Sequence, residues 1–337
     1  MVEMNRYNLC FLGFGNVGRA LVALLAEKTD ELRARYGIEW RITGVATRRM
    51  GRRVAPAGFD PQALLRGEAS SQVAPPADVP AWLRAAGCDV LFETTALDPH
   101  AGQPAIEHIR AALAAGAHVV TANKGPVVYA CEELIELARS RGRLFLFEAT
   151  VADCLPVFSL FRETLPAARV LAFGGVLNST TNVILDAMGE GLSFAAGVRR
   201  AQELGVAETD PSNDVDGWDA AVKVCALARM LLRTPLRPDE IEREGIRGLT
   251  VAAVQAARAE GRPYRLVARA RYDDGRLCAR VRPERIAADD PLALARGTSL
   301  LLRFELDVLP GLVLMAERPN LKSTAYGLLA DFINAVK

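Results

Sequence analysis

From the N-terminus to about residue 148, short apolar runs alternate with longer stretches in which apolar side chains return every three or four positions. The runs Asn8–Leu12, Arg41–Ala46, Asp89–Glu93, Ala117–Thr121 and Arg143–Glu148 read as buried strands. Ala20–Leu25 and a stretch from about Gly102 to Ala115 carry the helical period between them. Strands alternating with helices predict an α/β fold with a doubly wound parallel sheet. Past Glu148 the alternation breaks. Val170–Leu177 reads as a strand, Asn178–Asn182 opens a helix through Met188, and Tyr264–Arg271 and Leu300–Asp307 alternate as in an antiparallel sheet. Thr324–Val336 predicts a last amphipathic helix that can return to the first domain. The Pro- and Gly-rich segments Ala55–Asp60 and Pro75–Ala77 read as loops. Two domains are therefore expected: 1–150, completed by 318–337, and an α+β domain over 151–317.

The first predicted strand runs into Gly13-Phe14-Gly15-Asn16-Val17-Gly18 and then a helix. A G-x-G-x-x-G run is weak alone, but between a strand and a helix it is a dinucleotide-binding fingerprint. Gly13 permits the turn, Gly15 lets the backbone approach a pyrophosphate, and Gly18 allows close helix–strand packing. The helix N-terminus offers free N–H groups to the phosphates. The second strand ends at Thr47-Arg48-Arg49, with no acidic residue to hold a ribose 2′-hydroxyl. Arg48 and Arg49, with Arg52 and Arg53 close by, can instead hold a 2′-phosphate, which favours NADP over NAD. At the carboxyl ends of later strands stand Thr94, Thr95, Asn123 and Lys124, where ligands of such sheets collect.

The stretch Glu203–Lys223 is densely acidic and contains Glu208, Asp214, Asp219 and Lys223. A helix starting near Gly217 places Asp219 and Lys223 four apart on one face, about 6 Å along the axis. Glu208 and Asp214 arrive from the preceding loop. A lysine held by a carboxylate is a candidate proton donor; an ordinary surface i, i+4 pair is the bland alternative.

Taken together these motifs resemble the homoserine dehydrogenase family. The resemblance rests on the glycine loop, Thr121-Ala-Asn-Lys124, Glu148-Ala-Thr-Val151, Gly175–Asn182, and Ala207–Pro211 through Asp214, Gly217, Asp219 and Lys223, in that order. It implies a Rossmann-type domain and a second domain that binds substrate and carries a sheet used for dimerisation, hence a homodimer. It also implies interconversion of L-homoserine and aspartate-4-semialdehyde with NAD(P)(H), a small amino-acid substrate. By the same resemblance Lys223 is the general acid and Lys124 its partner at the reacting oxygen. Asp219 and Glu208 hold the substrate, Glu208 and Asp214 suit its ammonium, and Thr180 offers a substrate-contacting hydroxyl. Glu148 with backbone carbonyls near Val151 and Asp153 matches a monovalent-cation site. Two segments depart from the family pattern: Ala152–Pro156 replaces a glycine-rich run, and Glu317–Gly327 replaces a glycine-rich turn. They motivate a rival reading, the same hydride chemistry on another small hydroxy acid or aldehyde. A non-catalytic cofactor-binding paralogue is the other rival, opposed by the intact Lys124, Asp219 and Lys223. The chain stops soon after the last helix, so an appended regulatory ACT domain is not expected.

Composition narrows the rest. With 337 residues, 50% hydrophobic and 24% charged, the chain suits two globular domains. A net charge of +1, with arginines dispersed among acids, gives no case for nucleic acid. No stretch approaches the roughly 18 apolar residues of a membrane span, and no signal-peptide core opens the chain, so a cytoplasmic protein is expected. Six cysteines show no C-x-x-C pair, and only Cys154 falls on a divergent loop. His100, His108 and His118 form no metal-ligand pattern.

Overall fold

The computed structural model describes residues 3–337, which divide into two compact units. One runs to Cys154 and takes up Leu321–Lys337; the other is Leu155–Asn320.

The first unit is built on six strands: β1 (Asn5–Leu12), β2 (Ile38–Thr47), β3 (Gly51–Phe59), β4 (Val90–Glu93), β5 (His118–Thr121) and β6 (Phe145–Leu146). Their order is β3-β2-β1-β4-β5-β6. The five from β2 to β6 are parallel, and the chain switches direction across the sheet between β1 and β4. Ligand crevices of open α/β sheets lie at such a switch point.

The edge departs from the sequence reading. Gly51–Phe59 is a strand, whereas Ala55–Asp60 reads as a loop, and it pairs antiparallel with β2. Only Arg48–Met50 separates the two strands, too short for a crossover, so they must form a hairpin. Pro56 is tolerated because an edge strand needs no hydrogen bond on its open side. The helix expected from about Gly102 begins at Ala105, after Gly102 turns through a left-handed φ of 67°.

The C-terminal helix Leu321–Val336 packs on this unit. Its Phe332 is fully buried and meets Phe92 of β4 edge-to-face at 6.0 Å, and Tyr7 of β1 at 6.1 Å. Leu328 and Leu329 join the same core as Leu9, Leu21 and Val120. Truncating a buried phenylalanine such as Phe332 to alanine costs about 3–5 kcal/mol.

The second unit carries β7 (Val170–Val176), β8 (Glu242–Arg243), β9 (Tyr264–Asp273), β10 (Arg276–Arg285), β11 (Leu300–Leu306) and β12 (Leu312–Ala316). These run in the order β12-β11-β7-β9-β10-β8, antiparallel except where the short β8 joins β10. The β9–β10 turn is Asp274-Gly275, with positive φ at both residues (45° and 79°). That is what a two-residue turn matched to strand twist requires. One face buries Leu266, Ala268 and Ala270. The opposite face sets Arg303, Gly174, Arg269 and Arg280 in one cross-strand row.

Candidate active site

Two constellations stand out, one in each unit. In the first, β1 delivers the chain to Gly13, whose φ of 86° lies in the left-handed region. A Cβ on Gly13 would lie 2.4 Å from the carbonyl oxygen of Thr94, so no side chain fits there. Thr94 locks this turn, its N–H donating to Leu12 O (2.7 Å) and its hydroxyl to Gly13 O (3.0 Å). Gly15 caps the helix Asn16–Glu27 without any side-chain hydrogen bond, and nothing lies within 4 Å of where its Cβ would be. An uncapped helix of this length, open at a bare glycine, leaves its first N–H groups and dipole facing the space a phosphate would fill. Gly18 approaches Gly13 O to 3.3 Å at its Cβ position, the close packing expected of it. The residues present therefore fit a dinucleotide. Phe14 contributes only backbone to this turn, because its ring packs edge-to-face on Phe11 at 5.8 Å within the core. Asn16 is exposed and Val17 half-buried.

At the end of β2, Arg48 and Arg49 are exposed. Arg52 and Arg53 are committed elsewhere: Arg52 donates to Pro76 O (2.9 Å) and Ala77 O (2.6 Å), and Arg53 to Ala69 O. At the end of β4, the fully buried Glu93 accepts hydrogen bonds from Thr95 N (3.1 Å), the Thr95 hydroxyl and the Thr121 hydroxyl (3.0 Å). Burial pushes its carboxyl up to about 6, against the pull of hydrogen bonds from Thr95, Thr121 and Asn123. Asn123 caps the helix Lys124–Ser140 by accepting from Gly125 N (3.0 Å), and its amide donates to Thr95 O (3.3 Å). Lys124 is thus the first residue of a capped helix, half-buried.

Glu148 is buried in a tight turn, Glu148–Thr150, with its N–H donating to Asp331 Oδ2 (2.8 Å). The two segments that depart from the family pattern meet just beyond it. Asp153 holds a left-handed φ of 54°, and its carboxylate accepts from the Thr324 hydroxyl at 2.7 Å. Gly327 lies so close that a Cβ there would sit 2.6 Å from Asp153 O. Val151 is buried beside them. Burial, then the charge of Asp153, raises the Cys154 thiol, which keeps it protonated near neutral pH.

The second constellation lies where β7 ends. Asn178 caps the helix Ser179–Gly189 with its Oδ1 (Thr181 N, 2.9 Å). Its Nδ2 donates to Asp214 Oδ1 (2.6 Å) and Asp219 Oδ2 (3.1 Å). Asp219 and Lys223 are one turn apart on the helix Trp218–Leu231 and pair at 2.9 Å, with side chains only 18% and 12% exposed. Lys223 Nζ also donates to Leu177 O at 2.6 Å. This is no solvated surface pair. Burial, then the nearby charge of Asp219, raises Asp214, while Asn178 and Lys223 oppose the shift. Thr180 is buried, its hydroxyl within reach of Val206 O (2.7 Å) and hydrogen-bonded to the Asp214 carboxyl. Glu208 is exposed on the preceding loop, where its carbonyl accepts from Gln202 (3.1 Å). Asn178 is the residue the sequence reading missed as a site member. Its place as the cap after a buried strand, opposite an acidic segment, was the available signal.

Among the described residues no helix is long and apolar enough to cross a membrane, and no cluster of three or more His, Cys, Asp or Glu could hold a metal ion.

Comparison with known proteins bears on both constellations. The family model for the homoserine dehydrogenase NAD binding domain matches residues 13–148, and that for homoserine dehydrogenase matches 156–333. The NAD(+)-dependent homoserine dehydrogenase of Pseudomonas canavaninivorans is 34% identical, covering 98% of this chain and 96% of that one. The crystal structure of a putative homoserine dehydrogenase from Archaeoglobus fulgidus superposes with a TM-score of 0.85 at 30% identity, covering 100% of this chain and 99% of that chain. A hyperthermophilic archaeal homoserine dehydrogenase mutant in complex with NADPH gives a TM-score of 0.80 at 28% identity, with 98% of each chain covered. The chain belongs to the homoserine dehydrogenase family, NAD(P)-dependent oxidoreductases acting on a CH–OH group.

Proposed function

We propose that this protein interconverts L-homoserine and L-aspartate-4-semialdehyde, with a nucleotide-binding unit of about 1–150 plus 318–337 and a substrate unit of about 151–317. The observation that carries the reading is the half-buried Lys223, paired with Asp219 and held by the Leu177 carbonyl. When bound, the nicotinamide cofactor supplies or takes the hydride. In the reducing direction Lys223 gives a proton to the aldehyde oxygen, completing the alcohol; in the oxidising direction it takes that proton back. Asp219 aims the Lys223 amine, and Asn178 fixes Asp219 and Asp214 against each other. Lys124 serves the reacting oxygen, while Asp219, Asp214, Glu208 and Thr180 receive the amino-acid part of the substrate. Fixing donor and substrate in one orientation supplies much of the rate.

Residues 13–18, Thr94, Thr95, Asn123 and Lys124 would hold the cofactor. Arg48 and Arg49, exposed at the end of β2, favour NADP; Arg52 and Arg53 are occupied and take no part. Glu148 with the carbonyls of Val151 and Asp153 would hold a monovalent cation. The open face of the second sheet would join two copies in a homodimer, and the protein would work in the cytoplasm.

The test follows reduced nicotinamide by absorbance with L-homoserine, NAD and NADP being supplied separately, beside the amine-free 4-hydroxybutyrate. Turnover of homoserine well above the amine-free compound is expected; the reverse order would replace the substrate. Arg48→Ala should weaken NADP by about tenfold, the worth of one charge-assisted hydrogen bond, and leave NAD nearly unchanged. Equal losses on both would end the 2′-phosphate assignment.

A further inference from the structure

Glu93 has no place in the chemistry above, yet it is the most completely enclosed carboxyl of the first unit. At 0% exposure it cannot touch a ligand. Its Oε1 faces Thr95, whose N–H and hydroxyl both donate to it. Its Oε2 lies 3.0 Å from the Thr121 hydroxyl. That hydroxyl accepts from Asn123 N at 2.9 Å and lies 2.9 Å from the carbonyl oxygen of Glu93 itself. Asn123 closes the ring, its amide donating to Thr95 O and its carbonyl capping the helix that begins at Lys124. One carboxyl therefore ties the end of β4 to the turn between β5 and that helix.

The proton count sharpens the picture. Thr121 has one hydroxyl hydrogen but two acceptors within reach, the Glu93 carbonyl and Oε2. With Glu93 ionised, Thr121 can serve only one of them, and the carbonyl keeps a donor in Ala122 N at 3.3 Å. With a proton on Oε2, the carboxyl donates to Thr121, and Thr121 is free to donate to the carbonyl. Every buried group in the ring is then satisfied, as buried polar networks require. The upward push of burial on this carboxyl agrees with that arrangement. A glutamine would fit the same scheme, its Oε1 accepting from Thr95 and its Nε2 donating to Thr121.

We propose that Glu93 is a positioning residue, whose buried carboxyl sets Thr95 and the Asn123–Lys124 turn in the geometry that receives the nicotinamide cofactor. The inference rests on the cofactor-binding part of the function above, not on the substrate.

It is tested by equilibrium binding of NADPH and NADH, followed by fluorescence, to wild type, Glu93→Ala and Glu93→Gln, with thermal melts alongside. Glu93→Ala should weaken both cofactors by about tenfold or more, and Glu93→Gln should restore binding to within about threefold of wild type. Two results would overturn the proposal: unchanged binding in Glu93→Ala, or a Glu93→Gln protein that melts like wild type yet binds as poorly as the alanine variant. If Glu93→Ala does not fold, Thr121→Val takes its place. It should cost about threefold in affinity, and wild-type affinity there would equally overturn the assignment. A wild type that binds cofactor but leaves homoserine unchanged would defeat the substrate assignment and leave this test readable.

Discussion

The two units enclose carboxylates in opposite ways. In the first, Glu93 is surrounded by hydroxyls and amides, and burial raises its carboxyl to about 6. In the second, Asp214 and Asp219 lie within reach of one amide, Asn178, and of a cation, Lys223. There the cost of burial is offset by a counter-charge, and the strain of two like charges falls on Asp214. Neutral donors let a buried carboxyl hold its proton up to about pH 6 and act as a fixed post. A lysine paired with a carboxylate at 2.9 Å balances its charge and is held in place by the Leu177 carbonyl. The first solution suits positioning, the second suits chemistry.

The largest expected effect separates those roles. Lys223→Ala should lower turnover by about 10²–10⁴-fold, the usual worth of general acid–base catalysis, while cofactor binding survives. A fall smaller than about tenfold would place Lys223 among the structural residues and erase the contrast. Next comes Asn178→Ala, which removes a helix cap and the donor shared by two carboxylates. Destabilisation by about 2–3 kcal/mol is expected from chemical denaturation; a loss near zero would mean water replaces the amide and the cluster is less enclosed than its distances indicate.

The smallest effect is a slope with pH. Because the folded-state value of Glu93 lies above its ordinary 4.5, at about 6, the protonated carboxyl stabilises the fold below pH 4.5. That contribution is lost as pH rises through about 6, amounting to about 2 kcal/mol. Glutamine has no proton to lose. The stability of Glu93→Gln relative to wild type should therefore rise by about that amount between pH 4.5 and pH 7. A flat difference would mean that Glu93 is ionised at no cost, removing the distinction between the two enclosures.

Much of this was legible in the chain. The glycine loop between a strand and a helix, and the four-residue spacing of Asp219 and Lys223, are local patterns whose geometry follows from helix and turn dimensions alone. The β3 edge was not legible, since Pro56 and Gly58 mark a loop by composition while the brevity of the Arg48–Met50 link makes a hairpin. Nor was the meeting of the two divergent segments, Asp153 with Thr324 and Gly327, which are about 170 positions apart in sequence. The exposure of Glu208, within an acidic segment whose Asp214 and Asp219 share the amide of Asn178, was likewise not legible.

By itself, then, the sequence determined the fold class, the family and the kinds of groups available for chemistry, because periodicity, turn residues and motif spacing act over a few residues. Only the tertiary structure decided that Asn178 joins Asp214 to Asp219, that Arg52 and Arg53 are already occupied, and that Glu93 is sealed among Thr95, Thr121 and Asn123. Burial and hydrogen-bond partnership depend on which distant segments pack together, and those two properties fix whether a carboxylate is a catalyst's neighbour, a structural post or an exposed surface charge.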